Sequence, residues 1–165
     1  TLYPMTADLS PATGHAVTGR VLALANTSGK VAGSAFTVIG CDVLINGEVV
    51  ATTGADGVFT IPSLAAGTYT ATLSYAYGYD RDIQITVADT DVDLGTYGMV
   101  VCNFKKDAAI NGTDFNVYKR CTGKSKSDST YNSACDFNHD GAVNGTDYNI
   151  YKAFSGKMLS AEIYN

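Results

Sequence analysis

Asp136, Asn138, Asp140, Asn144 and Asp147 set oxygen-bearing side chains at positions 1, 3, 5, 9 and 12 of one stretch, D-x-N-x-D-G-x-x-N-x-x-D. Gly141 stands at position 6, where a backbone wrapping an ion must turn sharply, and Ala142 at position 7 offers its carbonyl. Hard oxygen donors in this order suit calcium, which takes roughly six to eight of them. The stretch ends in a segment that occurs twice. Asn111-Gly112-Thr113-Asp114-Phe115-Asn116-Val117-Tyr118-Lys119 returns, 33 residues later, as Asn144-Gly145-Thr146-Asp147-Tyr148-Asn149-Ile150-Tyr151-Lys152. The exchanges of Phe for Tyr and Val for Ile keep size and apolar character.

The same offset puts Asn103, Lys105, Asp107, Asn111 and Asp114 at positions 1, 3, 5, 9 and 12 of a first, degenerate loop, with Ala108 and Ala109 at 6 and 7. A protonated Lys has no lone pair, and its ammonium repels a cation. This loop is therefore expected to bind calcium weakly or not at all, with Lys105 or Lys106 neutralising Asp107 and Asp114.

After each loop the apolar residues fall three and four apart, at Phe115, Val117, Tyr118 and Cys121 and at Tyr148, Ile150, Tyr151 and Phe154. That spacing predicts two amphipathic helices, each with a carboxylate near its N-terminus, where negative charge is favoured. A polar linker, Gly123 to Ser129, joins the repeats. Neither repeat has apolar residues enough for a core of its own, so the two are expected to pack together with help from the metal.

Upstream the period changes to two. Runs beginning near Val17, Cys41, Glu48, Gly57, Gly67, Arg81 and Val92 predict some seven strands with no helical pattern, a small antiparallel sandwich. Asn46-Gly47, Asp56-Gly57 and Ala66-Gly67 are turns of the kind hairpins need. Tyr75, Tyr77 and Tyr79 alternate and read as packing on one strand face, with a sugar-stacking platform as the rival use.

The chain has 165 residues, a net charge of −5 and a pI near 4.7, which excludes the basic stripe of a nucleic-acid binder. No apolar run approaches the roughly 20 residues that span a bilayer. The abrupt opening at Thr1-Leu2-Tyr3-Pro4, without a signal peptide, reads as a piece of a longer mature protein. Cys41, Cys102, Cys121 and Cys135 lack metal-type spacing, and their pairing is left open. With only His15 and His139, and no nucleophile near either in sequence, no catalytic signature emerges, and the chain is not expected to be an enzyme.

Residues 54–69, with Thr53 before them, follow a T-x-x-D-G-x-F-x-I-x-x-L-x-x-G-x-Y pattern. That half resembles the carboxypeptidase regulatory-like or CnaB-like sandwich, whose members usually serve as spacers and supports. The two loop-plus-helix repeats, which lack the entering helix of a full EF-hand, resemble a dockerin. A sandwich directly before a dockerin resembles the cellulosomal X module–dockerin pair.

The resemblance implies two domains: an all-β immunoglobulin-like sandwich over 1–96, then a small all-α dockerin over 97–165 built from duplicated F-hand calcium loop–helix repeats. It implies a non-catalytic, secreted interaction module of an anaerobic bacterium, on a cellulosome or cell surface. Calcium is the expected cofactor and a cohesin the expected partner, with no nucleic acid and no membrane insertion, and the parent protein offers a route to polysaccharide contact. Asp136, Asn138, Asp140, Ala142, Asn144 and Asp147 are the expected ligands. Carried over position by position, Gly112, Thr113, Val117, Lys119, Arg120 and Lys124, with Gly145, Thr146, Ile150, Lys152, Ala153 and Lys157, would face the cohesin. Duplication would permit two docking orientations, which the damaged first loop and the Arg120/Ala153 mismatch make unequal. Loop geometry favours a Cys121–Cys135 disulfide, and Tyr97 and Tyr164 flank the module as a possible clasp. The rival functions are a secreted EF-hand-like calcium-binding protein and a carbohydrate-binding role for the sandwich.

Overall fold

Alternating apolar residues fold the first hundred positions into strands. In the computed structural model, which describes residues 13–165, these are β1 (His15–Ala23), β2 (Asp42–Ile45), β3 (Glu48–Thr52), β4 (Val58–Leu64), β5 (Gly67–Ser74), β6 (Arg81–Val87) and β7 (Val92–Met99). The opening Thr1-Leu2-Tyr3-Pro4 lies outside the described residues. Two sheets form, ordered β4-β1-β7 and β3-β2-β5-β6. Period-two side chains fill the space between them: Val17, Val21, Phe59 and Ile61 on one inner face, Val43, Ala71, Leu73, Ile83 and Ile85 on the other, all buried. Gly19 is required where β1 crosses the Phe59 ring, because a Cβ there would lie 2.5 Å from Phe59 Cζ.

Three expectations about this half need correcting. The sandwich is not wholly antiparallel, since β1 and β7 pair in parallel, with Val21 opposite Tyr97. Of the three turns, only Asn46-Gly47 closes a hairpin, joining β2 to β3 with both residues at positive φ, 52° and 79°. The turns at Gly57 and Gly67 instead carry the chain from one sheet to the other, since β4 belongs to the three-stranded sheet and β3 and β5 to the four-stranded one. Finally, Tyr75, Tyr77 and Tyr79 lie beyond the end of β5, in the turn before β6, and not on a strand face.

The C-terminal part contains two ten-residue helices, α1 (Gly112–Cys121) and α2 (Gly145–Phe154), and two 3-10 turns, Ser133–Cys135 and Ala161–Tyr164. The expected fold class, a sandwich followed by a distinct all-α domain, is overturned. The molecule is mostly β, and its two short helices do not make a separate all-α unit. The physical reason is the shortage of apolar residues in the repeats. One buried cluster runs from Val17 in β1 through Met99, Val100, Val101 and Cys102 to Tyr118, Phe137, Ile150 and Phe154. The segments flanking the helices also pair as β-bridges, Ala109 with Met158 and Ser125 with Ala142. No helix among the described residues is long and apolar enough to cross a membrane.

Candidate functional site

The repeats are related by an exchange symmetry. Adding 33 to Ala109 gives Ala142, and adding 33 to Ser125 gives Met158, so each bridge maps onto the other with its partners swapped. The hydrogen bonds follow suit. Ile110 N–H donates to the Lys157 carbonyl at 2.9 Å, and Val143 N–H donates to the Lys124 carbonyl at 2.8 Å. Tyr118 OH donates to the Asn144 carbonyl at 3.2 Å, and Tyr151 OH to that of Asn111 at 3.3 Å. Where the halves meet, the Tyr118 and Tyr151 rings stack at 5.3 Å and those of Phe104 and Phe137 at 6.4 Å. Each helix begins with the same capping box. Asn111 and Asn144 accept from the helix backbone, while Asp114 and Asp147 accept from the cap N–H at 3.0 and 2.9 Å.

The second loop is laced together by hydrogen bonds to its own oxygen-bearing side chains. Asp136 accepts Asp140 N–H at 3.2 Å, Gly141 N–H at 2.8 Å and Tyr131 OH at 2.6 Å. Asp140 receives the amides of Asn138 at 3.0 Å and Asn144 at 3.4 Å, and the Asn144 amide also lies 3.4 Å from the Ala142 carbonyl. Asp147, fully buried, accepts Phe137 N–H at 2.7 Å and Asn138 N–H at 3.3 Å. Gly141 turns at φ +95, and a Cβ there would meet Lys126 Cδ at 3.3 Å, so position 6 is a true glycine position. Burial pushes the Asp147 carboxyl above its usual range, against the pull of three backbone N–H groups, whereas the Asn138 amide holds Asp140 below it.

This donor set fits calcium. The loop offers three carboxylates and two amides together with the Ala142 carbonyl, and a half-turn of each Asn amide presents oxygen in place of nitrogen. No group of three or more His, Cys, Asp or Glu side chains that could hold a metal forms among the described residues. A cation held here would need the amide and carbonyl oxygens as well as the carboxylates.

The first loop has the same path and different chemistry. Asp114 Oδ1 accepts Lys105 N–H at 3.0 Å. At position 1, Asn103 accepts Asp107 N–H at 3.1 Å and returns its own amide to the Asp107 carbonyl at 2.7 Å. A donor N–H thus closes this loop at the point where the other holds a carboxylate. Ala108, at position 6, is absent from the residues with positive φ. Lys106 does not neutralise Asp107 or Asp114. Its ammonium turns to the sandwich, 2.6 Å from Asp80 and 2.5 Å from the Tyr75 carbonyl.

The surface positions fall unevenly. Gly112, Thr113, Lys119, Arg120, Gly145, Thr146, Lys152 and Lys157 are exposed, and Val117, Lys124 and Ala153 are half-buried. Ile150 is only 5 % exposed and belongs to the core. Phe115 and Tyr148, equivalent by the offset and expected among the apolar residues of the helices, are instead 38 % and 42 % exposed near these glycines. Their signal was present: a large ring directly after position 12 in both copies. Cys121 and Cys135 form a disulfide with Cα atoms 6.3 Å apart, joining the end of α1 to the start of the second loop, while Cys41 and Cys102 are free and buried.

The three tyrosines after β5 point into the seam between sandwich and repeats. Tyr75 meets Tyr77 edge-on at 5.7 Å, Tyr77 meets Phe104 at 5.8 Å, and Tyr79 stacks on Tyr164 at 6.2 Å. These rings pack against one another and against the repeats. Tyr97 and Tyr164 do close on each other's neighbourhood, but through Arg81, whose guanidinium lies 5.1 Å from one ring and 4.9 Å from the other. Tyr164 OH also donates to the Tyr79 carbonyl.

Residues 104–154 match the family model of the dockerin type I domain. Among solved structures, the chain is similar to a C-terminal interface mutant of a type II cohesin–X–dockerin complex from Acetivibrio cellulolyticus. Identity is 28 %, coverage is 88 % of this chain and 97 % of that one, and the TM-score is 0.65. An N-terminal interface mutant of the same kind of complex, also from Acetivibrio cellulolyticus, matches at 27 % identity, equal coverage and a TM-score of 0.64. No curated protein matches the chain.

Proposed function

We infer that this chain, an X module–dockerin arrangement of the cellulosomal kind, is a non-catalytic attachment module. Its repeats bind a cohesin and tie the parent protein to a cellulosome scaffold or cell-surface anchor, with the sandwich as support. The observation that carries this reading is the exchange-symmetric pair of loop–helix repeats, seated on a sandwich in the same order as in the cohesin-bound X–dockerin structures. A module with this task works outside the cell.

Calcium is the cofactor, and Asp136, Asn138, Asp140, Ala142, Asn144 and Asp147 are its ligands. A bound divalent ion supplies charge that offsets the three carboxylates. The residues themselves order the second loop and so set the position of Gly145, Thr146 and the start of α2. The first loop, closed by the Asn103 amide and carrying Lys105, is held without metal. The division of labour falls near residue 97, with support before it and docking after it.

The docking face comprises Gly112, Thr113, Lys119, Arg120 and Lys124 with their counterparts Gly145, Thr146, Lys152 and Lys157. Val117 and Ala153 lie at its margin, and the exposed rings of Phe115 and Tyr148 lie between. Glycines let a partner's backbone approach closely, and aromatic rings in such patches carry much of the binding energy. The full chain should be captured on at least one member of a panel of immobilised type I and type II cohesins in calcium buffer. Failure on every cohesin would refute the reading.

A further inference from the structure

We propose that the second loop, besides shaping the docking face, is a calcium-controlled latch onto the β-sandwich, with the His139 imidazole as the catch and the Thr37 carbonyl as its seat. The proposal rests on the reading of that loop as the calcium site. His139 Nε2 lies 2.7 Å from the Thr37 carbonyl, a contact across 102 residues of sequence. His139 holds position 4 of the loop, between Asn138 and Asp140, with φ at +59°. That left-handed backbone lies directly between two of the proposed ligands, so an ion that fixes Asn138 and Asp140 would also fix the imidazole on Thr37.

The seat is firm. Thr37 is buried, pairs with Leu22 of β1, and donates its hydroxyl to the Ala55 carbonyl at 3.1 Å, while Val38 N–H bonds the Val21 carbonyl at 3.0 Å. A cleft of about 320 Å³ opens in the seam beside the latch, between Tyr75, Tyr77, Phe137 and His139. The latch closes one edge of that cleft, and the Tyr77–Phe104–Phe137 ring contacts join the two parts alongside it. Position 4 of the first loop is also at positive φ, +55°, and also reaches the sandwich, through Lys106 to Asp80 and the Tyr75 carbonyl. With Asn103 N–H on the Tyr77 carbonyl at 2.8 Å and Arg81 between its tyrosines, that side of the seam is fixed without metal. Position 4 is thus a tether in both repeats, and in the second alone it answers to calcium.

Coupling of this kind is reciprocal: if calcium favours the latch, the latch favours calcium by the same factor. One hydrogen bond on this scale corresponds to about a fivefold to tenfold effect. The test is amide hydrogen exchange on the full chain with and without calcium, paired with calorimetric calcium titration, for wild type, His139→Asn and Lys106→Met. Asn tolerates the left-handed backbone, so His139→Asn removes reach and not loop geometry. Calcium is expected to slow exchange around Phe36–Val38 and Ala23 by about fivefold to tenfold. In His139→Asn that slowing disappears, and calcium affinity falls by the same factor with its stoichiometry unchanged. Lys106→Met retains both effects. Calcium bound with no slowing near Thr37, or with full slowing in His139→Asn, overturns the latch alone. No calcium bound to wild type overturns the latch and the calcium reading together.

Discussion

Lys105 occupies the place that Asn138 holds in the second loop, and that exchange of a cation for an amide separates the two loops chemically. Asn103 and Ala108 complete the difference, replacing a carboxylate and a glycine. Restoring all three, as Asn103→Asp, Lys105→Asn and Ala108→Gly, should raise calcium stoichiometry from one to two by calorimetry. Removing Asp136 and Asp140 together should abolish binding. The free thiols are set by burial: Cys41 is pushed up to about 12 and Cys102 higher still. Neither should react with iodoacetamide in the native protein at neutral pH, and both should react once it is unfolded, as mass spectrometry would read. The candidate oxygen donors are legible in the sequence because the motif spaces them residue by residue. The direction of Lys106 and His139 is not, because their partners lie 26 to 102 positions away.

At the scale of elements, the seven strands and two helices follow from side-chain period and turn residues, which are local signals. What escaped was pairing. Nothing in β1 or β7 alone says that they run parallel, and Asp56-Gly57 has the residues of a hairpin turn although it passes between sheets. The helices depend on their caps. Asn111→Ala or Asn144→Ala removes half of a capping box and should cost about 1 kcal/mol, measured by thermal or urea unfolding. The disulfide ties the end of α1 to the residue before Asp136, closing a loop with a sequence separation of 14. Its reduction should lower the unfolding midpoint by an amount corresponding to about 3 kcal/mol if the loop-closure account holds. Phe154 fills the equivalent place in the second repeat, so the repeats share a path but not a cross-link.

The whole molecule behaves as one packed body. A run of ring contacts links Tyr75, Tyr77, Phe104, Phe137, Tyr118 and Tyr151, from the sandwich to the middle of the repeat pair. Arg81 and Tyr164 close the other side. A separate all-α domain was the natural reading of the sequence because the repeats carry their own periodicity. The shortage of apolar residues within them is legible too, but it points equally to packing between the repeats and to packing on the sandwich, and only the three-dimensional contacts show the second. Arg81→Ala, which removes the cation between Tyr97 and Tyr164, should therefore destabilise the repeats as well as the sandwich, with a single coincident transition by far-ultraviolet and near-ultraviolet circular dichroism.

Calorimetric titration of the full chain with calcium tests the central claim, that one metal loop organises the docking pair. One tight ion is expected, lost in the double variant Asp136→Ala/Asp140→Ala. Two ions in the wild type, or none, would contradict it.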